Sequence, residues 1–316
     1  MRWLSYILQS AAYRSYVEVN ATGTSGSMKN LPKSKVLALP IRYPEVPEQL
    51  AIADIFDTLD TQIRQTEAII AKLQQVKQGL LHDLLTRGID ANGQLRPPRE
   101  QAPERYKESP LGWIPREWEW APLVSRINFP KGQVDPSKSP YRDWTLVAPD
   151  HMETRTGRLI KKETALDQNA ISGKYQFEPR DVIYSKIRPY LRKAVLADFE
   201  GLCSADAYPL RPNDDVSPRF LLAVILGEQF SAFAESVSMR SGFPKINRAE
   251  LSEFSMGWPS CKEQVMAARI LDEADEKQAL EERLLGKLKQ QKSGLMDDLL
   301  TGRVRVIQLT DQQLAS

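Results

Sequence analysis

Between Lys174 and Lys193 the chain carries six basic side chains against two acids, a local charge of +4. Lysine and arginine in such a run can neutralise phosphates, and the arginine fork can also donate two hydrogen bonds to a guanine edge. Its densest part, SKIRPYLRK, interleaves Lys186, Arg188, Arg192 and Lys193 with the ring of Tyr190. A second cluster holds Arg155, Arg158, Lys161 and Lys162 in a loop-like stretch. A third candidate is Lys245, closing the turn Ser241-Gly242-Phe243-Pro244-Lys245, for which a structural role and a DNA-facing role stand equal. The plainer alternative is that these cations are simply solvated. Residues 113–260 hold 20 basic and 19 acidic residues, so only their clustering favours nucleic acid. On that ground the DNA-contacting set is Lys186, Arg188, Tyr190, Arg192, Lys193, Arg155, Arg158 and Lys245.

Catalytic chemistry finds no comparable footing. The chain lacks an Asn-Pro-Pro-aromatic motif, a glycine-rich loop after a strand and a P-loop. Asp272-Glu273-Ala274-Asp275 spells a helicase box with no phosphate loop to serve it. Asp275-Glu276-Lys277 resembles one end of a nuclease site, yet its nearest Pro-Asp partner, Pro149-Asp150, belongs to another segment. His82 and His151 are isolated, without Cys or His at metal spacing. The expectation is no catalytic residue, no metal site and no cofactor of the chain's own. Cys203 and Cys261 are too few for a disulfide framework and are expected as buried free thiols in a cytoplasmic protein. The opening MRWLSYILQSAAYRSY is too interrupted for a signal peptide, and no run of 18 apolar residues points to a membrane. Net charge is only +2, so any DNA-binding face must be local.

The elements that must position these residues follow from a repeat. The segments from Val46 and from Cys261 align without gaps at an offset of 215. Glu48-Gln49 matches Glu263-Gln264, Asp57 matches Asp272, Lys72-Leu73 matches Lys287-Leu288, and Asp83-Leu84-Leu85-Thr86 matches Asp298-Leu299-Leu300-Thr301. In the first copy Ile52, Phe56, Leu59, Ile63, Thr66, Ile70, Leu73, Leu80 and Leu84 recur in steps of three and four, with one step missing at Lys77. In the second the seam reads Ala267, Leu271, Ala274, Gln278, Glu281, Leu285, Leu288, Lys292, Leu295 and Leu299. This is the a/d pattern of a coiled coil, with polar seam positions that set register. About 37 residues at 1.5 Å each give a rod of about 55 Å.

Between the copies, residues 90–111 are rich in Pro, Gly and charge and read as an extended connection. GWIPREWEW then opens a folded unit of mixed α/β (α+β) character, with strands expected at Trp144–Ala148, Asp181–Ser185, Ala194–Leu196 and Ala207–Leu210 and a helix at Pro218–Ser236. The repeat also reaches upstream: Arg2-Trp3-Leu4 stands where Arg219-Phe220-Leu221 stands, and Ser25–Ile41 parallels Ser241–Met256.

This ordered set is similar to the specificity (S) subunit of type I restriction–modification systems. The residues that carry the resemblance are GWIPREWEW, RPNDDVSPRFLLAVI, SGFPKIN, the P-x-x-P-E-Q element at Pro44–Gln49, and the leucine-rich helix ending GLLHDLLTRG. The resemblance implies two target-recognition domains, each followed by a long helix, the helices pairing antiparallel as a spacer. It implies that partner subunits bring the chemistry: methylation subunits with S-adenosylmethionine, and a restriction subunit with ATP and Mg. On this plan residues 1–48 are the remnant of a first recognition domain, most of which is expected to be missing. Residues 49–89 are the first helix, 90–111 the linker, 112–260 a complete recognition domain, 261–303 the second helix and 304–316 a tail. Double-stranded DNA is the expected ligand, and a homodimer would supply a second domain. The competing readings are a coiled-coil assembly protein without a DNA target, and an inactive truncated product or cassette.

Overall fold

In a computed structural model the chain is described over residues 2–22, 30–110, 112–238 and 244–306. In chain order the helices are α1 Arg2–Gln9, α2 Ala11–Asn20, α3 Lys33–Leu37, α4 Val46–Thr86, α5 Pro218–Leu226, α6 Glu228–Ser238, α7 Arg248–Glu253 and α8 Cys261–Leu295. The strands are β1 Tyr106–Ser109, β2 Gly112–Pro115, β3 Glu119–Pro122, β4 Ile127–Asn128, β5 Leu146–Val147, β6 Tyr175–Phe177, β7 Val182–Ser185, β8 Ala194–Leu196, β9 Gly201–Cys203, β10 Ala207–Pro212 and β11 Ser255–Trp258. The chain divides into two compact units, residues 1–75 with 276–316, and residues 76–275, so that each long helix contributes to both.

The first unit is helical. Ile52 and Phe56 of α4 are buried with Leu299 and Leu300, and Trp3, Tyr6 and Ile7 of α1 close the cluster. Asp60 faces Lys292 at 2.6 Å and Glu67 faces Lys289 at 2.8 Å. One number rises as the other falls, so the two helices run antiparallel. Glu48 at the start of α4 is buried and takes Arg305, from beyond α8, at 3.1 Å.

The second unit repeats this interface and adds the recognition-type fold. Lys77, the missing step of the seam, forms an ion pair with Asp275. At the offset of 215 this is the counterpart of Asp60–Lys292, with the partners exchanged between the helices. Arg2–Asp57 at 2.7 Å recurs as Arg219–Asp272 at 2.6 Å. Even a local bond is duplicated: Gln49 donates to the Pro44 carbonyl at 2.8 Å and Gln264 to that of Pro259 at 3.0 Å. The repeat is therefore one of interactions as well as letters. Along both helices the seam residues are buried or half-buried, from Ile52 to Leu84 and from Ala267 to Leu299, Ile63, Ile70, Leu73, Leu271, Leu285, Leu288 and Leu295 among them. Thr66 and Gln278 occupy polar seam positions and are buried.

Helix α4 stops at Gly88, whose φ of +63° is the left-handed conformation that glycine adopts without steric cost. A Cβ here would fall 2.2 Å from Oε1 of Glu263. That carboxylate is the counterpart of Glu48 and is far better held. It accepts from both terminal nitrogens of Arg96 at 2.5 and 3.0 Å, from Trp118 Nε1 at 3.1 Å and from the Ile89 backbone at 2.8 Å.

The expected extended connection at 90–111 is corrected by these contacts. Arg96, Ala102 and Tyr106 are buried, and β1 pairs antiparallel with β2. The segment is held by a partner 167 residues away, which its composition cannot announce.

Among the described residues four sheets build the rest. β4-β10-β7-β8 is the largest, with β10 antiparallel to both neighbours. Helix α5 covers it: Ser217 caps the helix with Pro218 at its first position, and Phe220, Leu221, Val224 and Ile225 bury against Val182, Ala194 and Leu210. The expected single helix from Pro218 to Ser236 is two, parted at Gly227, where a Cβ would meet Leu85 at 2.7 Å. β5-β9-β6 forms a second layer whose core includes Met152, Phe177 and Cys203. No single helix among the described residues is long and apolar enough to cross a membrane.

The expectation of two buried thiols also needs correction. Cys203 is fully buried and burial pushes its thiol up to about 12, whereas Cys261 is exposed at the start of α8. In the native protein iodoacetamide should modify one thiol quickly, at Cys261, and reach Cys203 only on unfolding. Rapid double alkylation, read by peptide mass, would contradict the packing of β9.

Candidate nucleic-acid interface

Strand β7 is completely buried, and the chain leaves it at Lys186 directly into the basic stretch. Residues 186–188 do not trail into solvent. Arg188 donates its backbone N–H to Pro244 at 2.8 Å, Ile246 donates to Lys186 at 2.9 Å, and Ile187 bridges Lys245. This short antiparallel ladder lays the backbone of 186–188 beside that of 244–246, with Lys245 opposite Ile187. Ser241, Gly242 and Phe243 of the predicted turn lie outside the described residues.

Beyond the ladder the chain turns through Pro189–Leu191, with Arg188 and Arg192 both left-handed at φ +49° and +48°. A non-glycine residue pays about 1 kcal/mol or more for each such conformation. The turn is nevertheless closed by two backbone bonds, Leu191 to Arg188 at 2.9 Å and Arg192 to Pro189 at 2.8 Å. It presents Arg188 and Tyr190 to solvent.

The predicted set then divides. Arg192 turns inward, its Nε donating to Ser231 Oγ at 2.7 Å, and Ser231 donating to Glu235 at 2.9 Å. Lys193 is held by the Pro149 carbonyl at 2.8 Å. Arg155 is exposed and left-handed, its backbone donating to Arg192 at 3.2 Å, and the two arginines line a cleft with His82 and Glu228. Arg158 is half-buried and its carbonyl closes the 153–158 turn. The rest of the second cluster is largely neutralised: Lys161 pairs with Glu163 at 2.7 Å, and Lys162 lies over the Phe199 ring with Asp198 at 3.9 Å. The described residues thus bring Lys186, Arg188 and Lys245 together and hold Arg192 and Lys193 in structural contacts.

One participant escaped sequence reading. Arg248, first residue of α7, lies 4.7 Å from the Phe129 ring and 5.4 Å from each of the Tyr175 and Tyr208 rings. Lys186 Nζ lies over the same Tyr208 ring at 5.2 Å. Burial lowers the Lys186 pKa; Asp206 opposes that shift, and neighbouring Lys245 and Arg248 add to it. The only signal available in the sequence was three basic residues, Lys245, Arg248 and Arg240, close to the SGFPKIN turn. Among the described residues no group of three or more His, Cys, Asp or Glu side chains is disposed to hold a metal.

A family profile described as the type I restriction modification DNA specificity domain matches residues 154–290, from the second basic cluster through most of α8. Over these residues the chain is similar to the type I restriction–modification specificity family. It is similar to the type I restriction enzyme EcoDI specificity subunit of Escherichia coli, 29% identical over 273 residues, covering 81% of this chain and 59% of that protein. It is also similar to the type I restriction enzyme MjaVIII specificity subunit of Methanocaldococcus jannaschii, 20% identical over 321 residues, covering 92% of this chain and 68% of that one. The chain thus spans less than two thirds of the length of the EcoDI subunit. The fold is shared with the type I S subunit from M. genitalium, at a TM-score of 0.56 and 16% identity over 95% of this chain and 72% of that one.

Proposed function

We propose that the chain is a DNA sequence-specificity subunit of a type I restriction–modification complex, with no catalytic step of its own. Its recognition unit, about residues 112–260, reads one DNA half-site. The observation that carries this reading is the ladder joining Lys186 and Arg188 to Lys245 on a domain of the specificity family. Phosphate neutralisation supplies affinity there, and arginine forks supply base contacts. The helix pair is the scaffold for the methylation subunits; exposed Ile69, Leu280 and Leu284 give it an apolar face for them. S-adenosylmethionine, ATP and Mg would reside on the methylation and restriction subunits. Two such chains in a homodimer would present two recognition units.

A band-shift titration of random duplex DNA with the full chain, with and without its methylation subunit, tests the reading. Binding at low salt that weakens steeply as salt rises is the expected result, since each phosphate contact releases counterions. No shift in either condition would rule it out.

A further inference from the structure

Arg248 carries a cost that the fold does not recover. Its Nε and Nη2 are buried with no hydrogen-bond partner among the described residues. A buried donor left unpaired costs about 1–3 kcal/mol, and more when charged. Its carboxylate neighbours do not offset this. Glu250, two residues on, is committed to the capping box, accepting from the Asn247 N–H at 2.8 Å while its own N–H donates to Asn247 Oδ1 at 2.9 Å. That box, with Ile246 fully buried beside it, also fixes the backbone from which Arg248 extends. The guanidinium is instead stacked among Phe129, Tyr175 and Tyr208, an arrangement that favours a cation but satisfies none of its N–H groups in the ordinary way. Lys186 shares the Tyr208 ring, and Lys245 stands on the ladder opposite Ile187.

Two cations therefore share one aromatic recess, with Lys245 on the adjoining ladder strand. Concentrated, partly desolvated positive charge is what a single anion would offset. The phosphates are the outermost anionic groups of a duplex, whereas base edges lie recessed in its grooves.

We propose that Arg248, Lys186 and Lys245 together hold one backbone phosphate of duplex DNA, with Arg248 as the phosphate-contacting residue at the centre of the cluster. The assignment rests on the DNA-binding reading above. The aromatic rings hold the guanidinium in place before DNA arrives, so its charge stands beside Lys186 with no rotamer left to freeze.

The test is fluorescence anisotropy of the full chain with a random-sequence duplex of about 30 base pairs over a range of salt. Arg248→Met keeps the packing on the rings and removes the charge. It should lower the slope of log K against log salt by about one and weaken binding about eightfold at ~0.1 M salt. Arg248→Lys should retain most of the slope, and Lys138→Met, on an exposed turn, should change nothing. Thermal melting checks that each variant is folded. An unchanged slope in folded Arg248→Met overturns the proposal. So does an altered base preference, measured by selection from a randomised pool, with the slope intact, because Arg248 would then read bases. If the unaltered chain itself shows no salt-dependent binding, the failure lies with the DNA-binding reading and not with Arg248.

Discussion

Replacing Glu263 with Ala should cost about 3–5 kcal/mol of stability, the range for breaking a buried ion pair by removing one partner. The carboxylate takes four hydrogen bonds, from Arg96, Trp118 and the Ile89 backbone. Arg96 is 5% exposed, so the variant leaves a buried guanidinium with only the exposed Glu117, at 3.7 Å, to face its charge. The damage spreads along the chain, because Glu263 joins the start of α8 to the segment just after α4. Glu263→Gln should recover part of the loss, keeping an acceptor but not the charge. The repeat supplies an internal control. Glu48 occupies the matching position, yet its partner Arg305 is half-exposed and makes one contact at 3.1 Å. Glu48→Ala should lower the melting temperature much less. Equal losses from the two substitutions, measured by denaturant titration, would be incompatible with this asymmetry.

The second large effect concerns DNA. Changing Lys186, Arg188 and Lys245 together to Ala should reduce the salt slope by about two and the affinity about 60-fold at ~0.1 M salt, taking about 0.9 decade for each phosphate contact, one at Arg188 and one shared by Lys186 and Lys245. The sequence alone nominates Lys186, Arg188 and Arg192 for this experiment. The fold changes the third member. Arg192 spends its Nε on Ser231 and lies beside α6, so Arg192→Ala should disturb packing more than binding. The informative comparison is the triple variant against Arg192→Ala, with both anisotropy and melting measured. The interface is misassigned if the triple variant binds random duplex as tightly as the unaltered chain at low salt.

Some of this molecule is written in local pattern. The offset of 215, the three-and-four spacing from Ile52 to Leu84 and the stop at Gly88 are properties of neighbouring residues, and helix burial follows them directly. The same holds for the basic run at Lys186. Its charge density needs no partner to be visible.

What the pattern leaves open depends on contacts distant in the chain. Strands of two or three residues, such as β4 and β6, are too short to show a period and exist only because β10 and β9 pair with them. Residues 90–111 have the composition of a linker, but Glu263 organises them from the other side of the domain. Lys77 looks like a flaw in the seam until Asp275 is found opposite. Basic residues alike in sequence part company for the same reason. Arg192 and Lys193 are taken up by Ser231 and Pro149, while Arg248 is drawn into a ring of aromatics beside Lys186. The sequence by itself determined the two matched helices and the existence of a basic stretch, because periodicity and charge density are local. Only the tertiary structure decided which cations face outward together, because that depends on which acceptor, ring or carboxylate the fold brings within reach of each.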